Sequence, residues 1–211
     1  MNTRGRKATI AAAGLAIIIG APLVFKGGQW QRQHAREVSC ISNLKQIGLG
    51  TMQYTRDYDE VMPRAANWSE ALFPYTRSVV LFQCPQRGQA AQGYAFYHDA
   101  QEAYQEAFNE PDKMVMYFDS NGLKLNTADT GASLPRPPRH PHGNALCYAD
   151  GHVKVVAQPD LKYGYDADFM QRNREARAAS ARFWVEYQKK QAHSKRLRLK
   201  QIAARKKAKK P

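Results

Sequence analysis

Thirty-two residues, QWQRQHAREVSCISNLKQIGLGTMQYTRDYDE (29–60), place apolar side chains every three to four positions. A run of that length limits the chain to a fold organised around one long amphipathic helix. Trp30, His34, Val38, Ile41, Leu44, Ile47 or Gly48, and Met52 form its stripe, with an end near Tyr58. Gly48 and Gly50 lie inside it, where glycine weakens a helix unless another backbone packs closely. Upstream, ATIAAAGLAIIIGAPLVF (8–25) carries no charge and follows Arg4, Arg6 and Lys7. At about 1.5 Å per residue this run reaches about 27 Å, enough to cross a bilayer core. It lacks a clean small-x-small cleavage site with a polar start behind it, so it reads as an uncleaved anchor rather than a signal peptide. The cationic flank puts the N-terminus in the cytoplasm and the body on the periplasmic, extracytoplasmic side of the inner membrane. Gly27 and Gly28 predict a joint between anchor and body.

The net charge of +14 suggests a nucleic-acid binder until its distribution is read. Residues 170–211 hold fifteen of the 32 Lys and Arg against two Glu, and residues 1–169 are close to neutral. The basic character belongs to a tail (168–211) without glycine, predicted as a solvated helix that frays past about Lys195. Three parts follow: stub, anchor and joint (1–28), a folded body (29–167) and the tail. Outside the cytoplasm the tail's reachable partners are anionic lipid headgroups, acidic envelope polymers or another protein, rather than nucleic acid.

Within the body, a short helix is expected over Ser69–Leu72 with Ser69 as its N-cap. GYAFYHDA (93–100) reads as a strand, 99–111 as a short helix or loop, and KMVMYFDSNG (113–122) as the clearest strand, closing on an Asx turn. The proline-rich 131–143 is a loop. NALCYA and HVKVVA flank Asp150-Gly151, a strong hairpin signal, with Leu146 and Tyr148 on one face and Cys147 and Ala149 on the other.

The ligand-type residues crowd into that region. His140, His142 and His152, with Cys147 or Asp150, are candidate zinc ligands for an exported metal-dependent enzyme, although the spacing matches no zinc motif. A loop histidine, an Asp-Gly turn and a strand account for them more simply. Asp119 and Asn121 begin a D-x-N-G stretch with some likeness to a calcium loop, without the bidentate glutamate an EF-hand needs. No nucleophile elbow, phosphate loop or dinucleotide fingerprint is present. Cys40, Cys84 and Cys147 form no C-x-x-C pair, and their odd number allows one bridge and one free thiol.

Several stretches fall in one order: CISNLKQIGLGTMQYTRDYDEVMP (40–63), Trp68, Leu72, Pro74 and Tyr75, LFQCP (81–85), MVMYFDS (114–120), and His140 separated by nine residues from Asp150-Gly151. Over residues 29–157 the chain resembles prepilin-like proteins with an H-x9-DG domain, related to type II secretion pseudopilins. The resemblance implies an α+β, pilin-like fold: a long N-terminal helix on a small antiparallel sheet, tethered by the hydrophobic segment. It implies a surface or secretion-related binding or scaffolding role without enzymatic activity or cofactor. His140, Asp150 and Gly151 become structural signature residues, and Cys40 and Cys84 the bridged pair. The N-terminus departs from the pattern: Arg6 and Ile10 stand where assembled pilins have Phe and Glu, so the filament-assembly signal is missing.

Overall fold

The computed structural model describes residues 3–87, 92–122 and 124–208, with the side chains of 3–28, 194 and 196–208 outside the described set. The first helix, α1, runs Thr3–Asp57. Its backbone stays helical through Gly27 and Gly28, where the sequence predicts a joint. Each glycine costs about 1 kcal/mol against alanine, and the hydrogen-bond ladder on both sides carries the helix through. The anchor predicted at 8–25 lies outside the described side chains. Among the described residues no helix is long and apolar enough to cross a membrane.

The buried face of α1 is narrower than its apolar spacing. Cys40, Leu44, Ile47, Gly48 and Thr51 are buried, whereas Trp30 and Val38 are exposed. The helix outruns the sheet at that end, so Trp30 stacks on His34 in solvent instead of joining the core. Thr51, a polar residue on the buried face, pairs with the Tyr117 hydroxyl at 2.8 Å. Past Asp57 the chain turns through two successive left-handed residues, Asp59 (φ 53°) and Glu60 (φ 64°). Glu60 N–H donates to the Thr55 carbonyl at 2.7 Å and closes the helix end without a glycine.

Helix α2 spans Trp68–Thr76, longer than expected, and its cap differs from the prediction. The Asn67 side chain makes no capping bond. Asn126, distant in sequence, instead accepts from Ser69 N–H (2.9 Å) and Ser69 Oγ–H (2.7 Å). Trp68 drives this helix inward. It is fully buried among Phe82, Phe96 and Tyr117 and donates Nε1–H to the Thr127 carbonyl.

Five strands follow: β1 (Tyr94–Tyr97), β2 (Val115–Asp119), β3 (Ala128–Asp129), β4 (Asn144–Tyr148) and β5 (Val153–Val156). Their order is β3-β1-β2-β4-β5. The expected sheet was antiparallel; β3 runs parallel to β1, so the sheet is mixed. The region 99–111 forms two 3₁₀ turns, His98–Ala100 and Gln105–Ala107. The β4–β5 hairpin forms as expected, with Cys147 opposite Val153 and Ala145 opposite Val155. Its turn is closed by Gly151 N–H to the Tyr148 carbonyl, and Gly151 takes the left-handed conformation (φ 85°) that makes glycine necessary there.

One sheet face packs on α1 and α2. The register shifts between Val115 and Tyr117, and this irregularity puts Met116 and Tyr117 into the same core. On the other face, Ala95, Tyr97, Val115, Phe118 and Leu146 are covered by Leu134 and Leu161 from the loops. Strand β2 is thus buried on both sides, which is why its sequence is a continuous apolar run.

The last helix, α3, covers Ala167–Ala208 and is helical beyond Lys195, where fraying was expected. Its Ala, Arg, Lys and Gln content is strongly helix-favouring. The start of the predicted tail belongs to the core: Phe169 is fully buried against Phe108 and Tyr165, and Arg172 donates to the Ala107 carbonyl. Over residues 181–193 the helix is exposed, carrying Phe183, Trp184 and Tyr187 as a mutually packed aromatic group.

Candidate functional site

The H-x9-DG region folds against the end of β2 and the first third of the body. Asp119, the last residue of β2, is fully buried. Its Oδ1 accepts from Arg139 Nη1 at 3.0 Å and its Oδ2 from the Ala145 N–H at 2.6 Å. Arg139 reaches inward from the proline-rich loop and also donates to the Gly93 and Ser120 carbonyls. Burial pulls the Arg139 pKa below its ordinary value, and the Asp119 carboxylate opposes that shift. Asn144 locks the same loop, accepting from Arg139 N–H and donating to the Pro135 carbonyl, both at 3.0 Å.

This arrangement accounts for the calcium-like stretch. The guanidinium of Arg139 stands where a cation would be bound, taking an Asp119 oxygen at 3.0 Å and the Asn121 Oδ1 at 3.4 Å. Arg87 also donates to the Ser120, Asn121 and Gly122 carbonyls, so the D-S-N-G oxygens are shared between two fixed guanidinium groups instead of an open calcium cavity.

The three candidate histidines go to three different environments. His142 is exposed and lies 3.4 Å from the buried Glu37 of α1. His152 stacks on Tyr148 and sits 2.6 Å from Asp150, which also accepts from the His152 backbone N–H and so fixes the hairpin turn. His140 alone is buried, with its Nε2 3.1 Å from Asp119 Oδ2. Cys147 is buried under Gly48, and burial pushes its thiol pKa up, so it is an inert core thiol.

Beside His140 lies the Cys40–Cys84 disulfide. The two sulfurs and a His140 ring nitrogen all lie within 4.8 Å of one another. Cys40 comes from α1, Cys84 from the loop after α2 and His140 from the loop before β4. No local pattern links them, so sequence reasoning placed the pair and the histidine separately. Tyr94 anchors the group by donating its hydroxyl to the Cys40 carbonyl at 3.0 Å.

An open cleft of about 570 Å³ lies beside α2, against Val79, Phe82, Gln83, Gln92 and Leu125. Phe73, Val79, Phe82 and Leu125 supply apolar walls, and Ser69, Glu70 and Gln92 the polar groups. Among the described residues neither polar atom of the buried Gln92 side chain has a hydrogen-bond partner. No local pattern marks this cleft, because its walls come from four separate segments.

Residues 29–71, from within α1 into α2, match the family described as "Protein of unknown function (DUF1559)". The match fits the prepilin-like resemblance over those residues. No curated protein and no solved structure matches the chain.

Proposed function

We propose that this chain is an envelope protein tethered in the inner membrane by residues 8–25, with a pseudopilin-like H-x9-DG ectodomain that binds or scaffolds partners on the periplasmic side. The observation that carries the reading is the engagement, by the fold itself, of the polar groups around the hairpin other than His140. Asp119 is held by Arg139 and Ala145, Asn144 by the loop backbone, and Asp150 by the hairpin turn. Polar groups engaged in this way hold a scaffold together and leave contact to the surface. That surface offers the apolar cleft beside α2 and the cationic, aromatic-bearing α3. A helix with Phe183, Trp184 and Tyr187 among Arg and Lys suits an anionic headgroup layer, an acidic polymer or an acidic protein face.

Fractionation of expressing cells, followed by N-terminal sequencing, tests the tether. The intact chain is expected in the membrane fraction, released by detergent and not by salt, and a variant lacking 8–25 is expected in the soluble fraction. Recovery of the intact chain, with residues 1–25 present, wholly in the soluble fraction overturns the proposal.

A further inference from the structure

The least explained group in the core is His140. Its ring is buried, and neither ring nitrogen makes a hydrogen bond with the described residues. Asp119 Oδ2 approaches Nε2 to 3.1 Å, close enough for electrostatic attraction without the directionality of a hydrogen bond. Buried polar groups ordinarily find partners, so an orphaned imidazole in a closed core calls for one. Beyond Asp119, the sulfurs of Cys40 and Cys84, both fully buried, lie within 4.8 Å of a ring nitrogen.

We propose that, when the Cys40–Cys84 bond is opened, this site binds a zinc-type divalent cation through both sulfurs and a ring nitrogen of His140. A small-molecule dithiol opens the bond, passing two electrons and two protons to the cysteines and closing its own disulfide. The cation then displaces one proton from each thiol, so two protons leave for each ion bound. Two thiolates, one neutral imidazole and a doubly charged cation sum to zero charge, which a buried site requires. The neighbouring Asp119 and Arg139 already cancel each other. Thiolate and imidazole donors favour zinc over calcium or magnesium. Zinc–sulfur bonds of about 2.3 Å set tetrahedral sulfurs about 3.7 Å apart, a spacing within the compass the three ligand atoms already occupy. Asp119, 3.1 Å from Nε2, is placed to accept a ring N–H once the imidazole turns its other nitrogen to the metal, as carboxylates do behind zinc-bound histidines. The redox state of the surroundings selects between the two forms: the bridge in an oxidising compartment, the cation site in a reducing one.

The test uses the full chain, reduced under argon, freed of reductant and titrated with Co²⁺ as the spectroscopic stand-in for zinc. One ion per chain is expected, with a thiolate-to-cobalt charge-transfer band that excess Zn²⁺ removes. The oxidised chain is expected to show no such band. His140→Gln should weaken binding at least about tenfold, whereas the pair His142→Gln and His152→Gln should leave it unchanged. Circular dichroism of each variant verifies that it is folded. If His140→Gln does not fold, X-ray absorption on the zinc-loaded wild type replaces it, with two sulfurs and an imidazole nitrogen expected around the metal. A reduced wild type without the band, a folded His140→Gln that binds as tightly as wild type, or a metal shell without imidazole overturns the proposal.

Discussion

At the scale of single residues, the pair Asp119–Arg139 concentrates the most free energy in the fewest atoms. Both side chains are buried, and each also bonds to backbone. Removing one partner leaves the other as an unpaired charge in the core, an effect of about 3–5 kcal/mol. Arg139→Met is therefore expected to lower the urea midpoint by an amount corresponding to that range. Arg139→Met combined with Asp119→Asn is expected to recover part of the loss, because no net charge is then left behind. A double variant no more stable than Arg139→Met would show that the charge pairing is not what Arg139 contributes.

At the scale of elements, the decisive contact is the crossing of α1 over the β4–β5 hairpin. A Cβ on Gly48 would come within 2.6 Å of Cys147 Sγ and 3.5 Å of the Gly151 backbone, so the helix can lie this low only with glycine there. In an isolated helix Gly48→Ala would gain about 1 kcal/mol. Here overpacking of a buried contact, typically about 1–3 kcal/mol, outweighs that gain. Gly48→Ala is expected to destabilise the chain in denaturant titration, and Cys147→Ala in the same background to restore part of the loss by opening the space under the helix. Stabilisation by Gly48→Ala alone would mean that the helix does not sit this close. The glycine is legible in the sequence as a point of close backbone approach, whereas the identity of the approaching hairpin is not.

At the scale of the whole molecule, the core is rich in phenols. Tyr94, Tyr97 and Tyr117 are buried and Tyr165 packs partly buried against them; burial raises the pKa of each, that of Tyr97 to about 12. The sign follows from the proton count. Below the ordinary value of about 10 both folded and unfolded chains keep the proton, and the stability is intact. Above it the unfolded chain releases protons that the folded chain retains, so stability falls as pH rises, by about 1.4 kcal/mol per pH unit for each such tyrosine. Alkaline titration is expected to show these phenols ionising together with loss of the helical circular dichroism signal. Their ionisation at the ordinary value with the fold intact would contradict the buried placement.

What the sequence determined by itself is what short-range spacing encodes: α1 from its three-to-four residue repeat, the β4–β5 hairpin from two β-prone runs around Asp150-Gly151, and the helical tail from its composition. The buried limit of α1 escaped it, because periodicity marks an apolar face but not where the partner surface stops, so Trp30 and Val38 were assigned to a core that ends before them. Tertiary structure alone decided the parallel placement of β3, the capping of α2 by Asn126, and the meeting of Cys40, Cys84 and His140. Each of these joins residues far apart in the chain, and such contacts are selected by the packing of the whole core rather than by any local backbone preference.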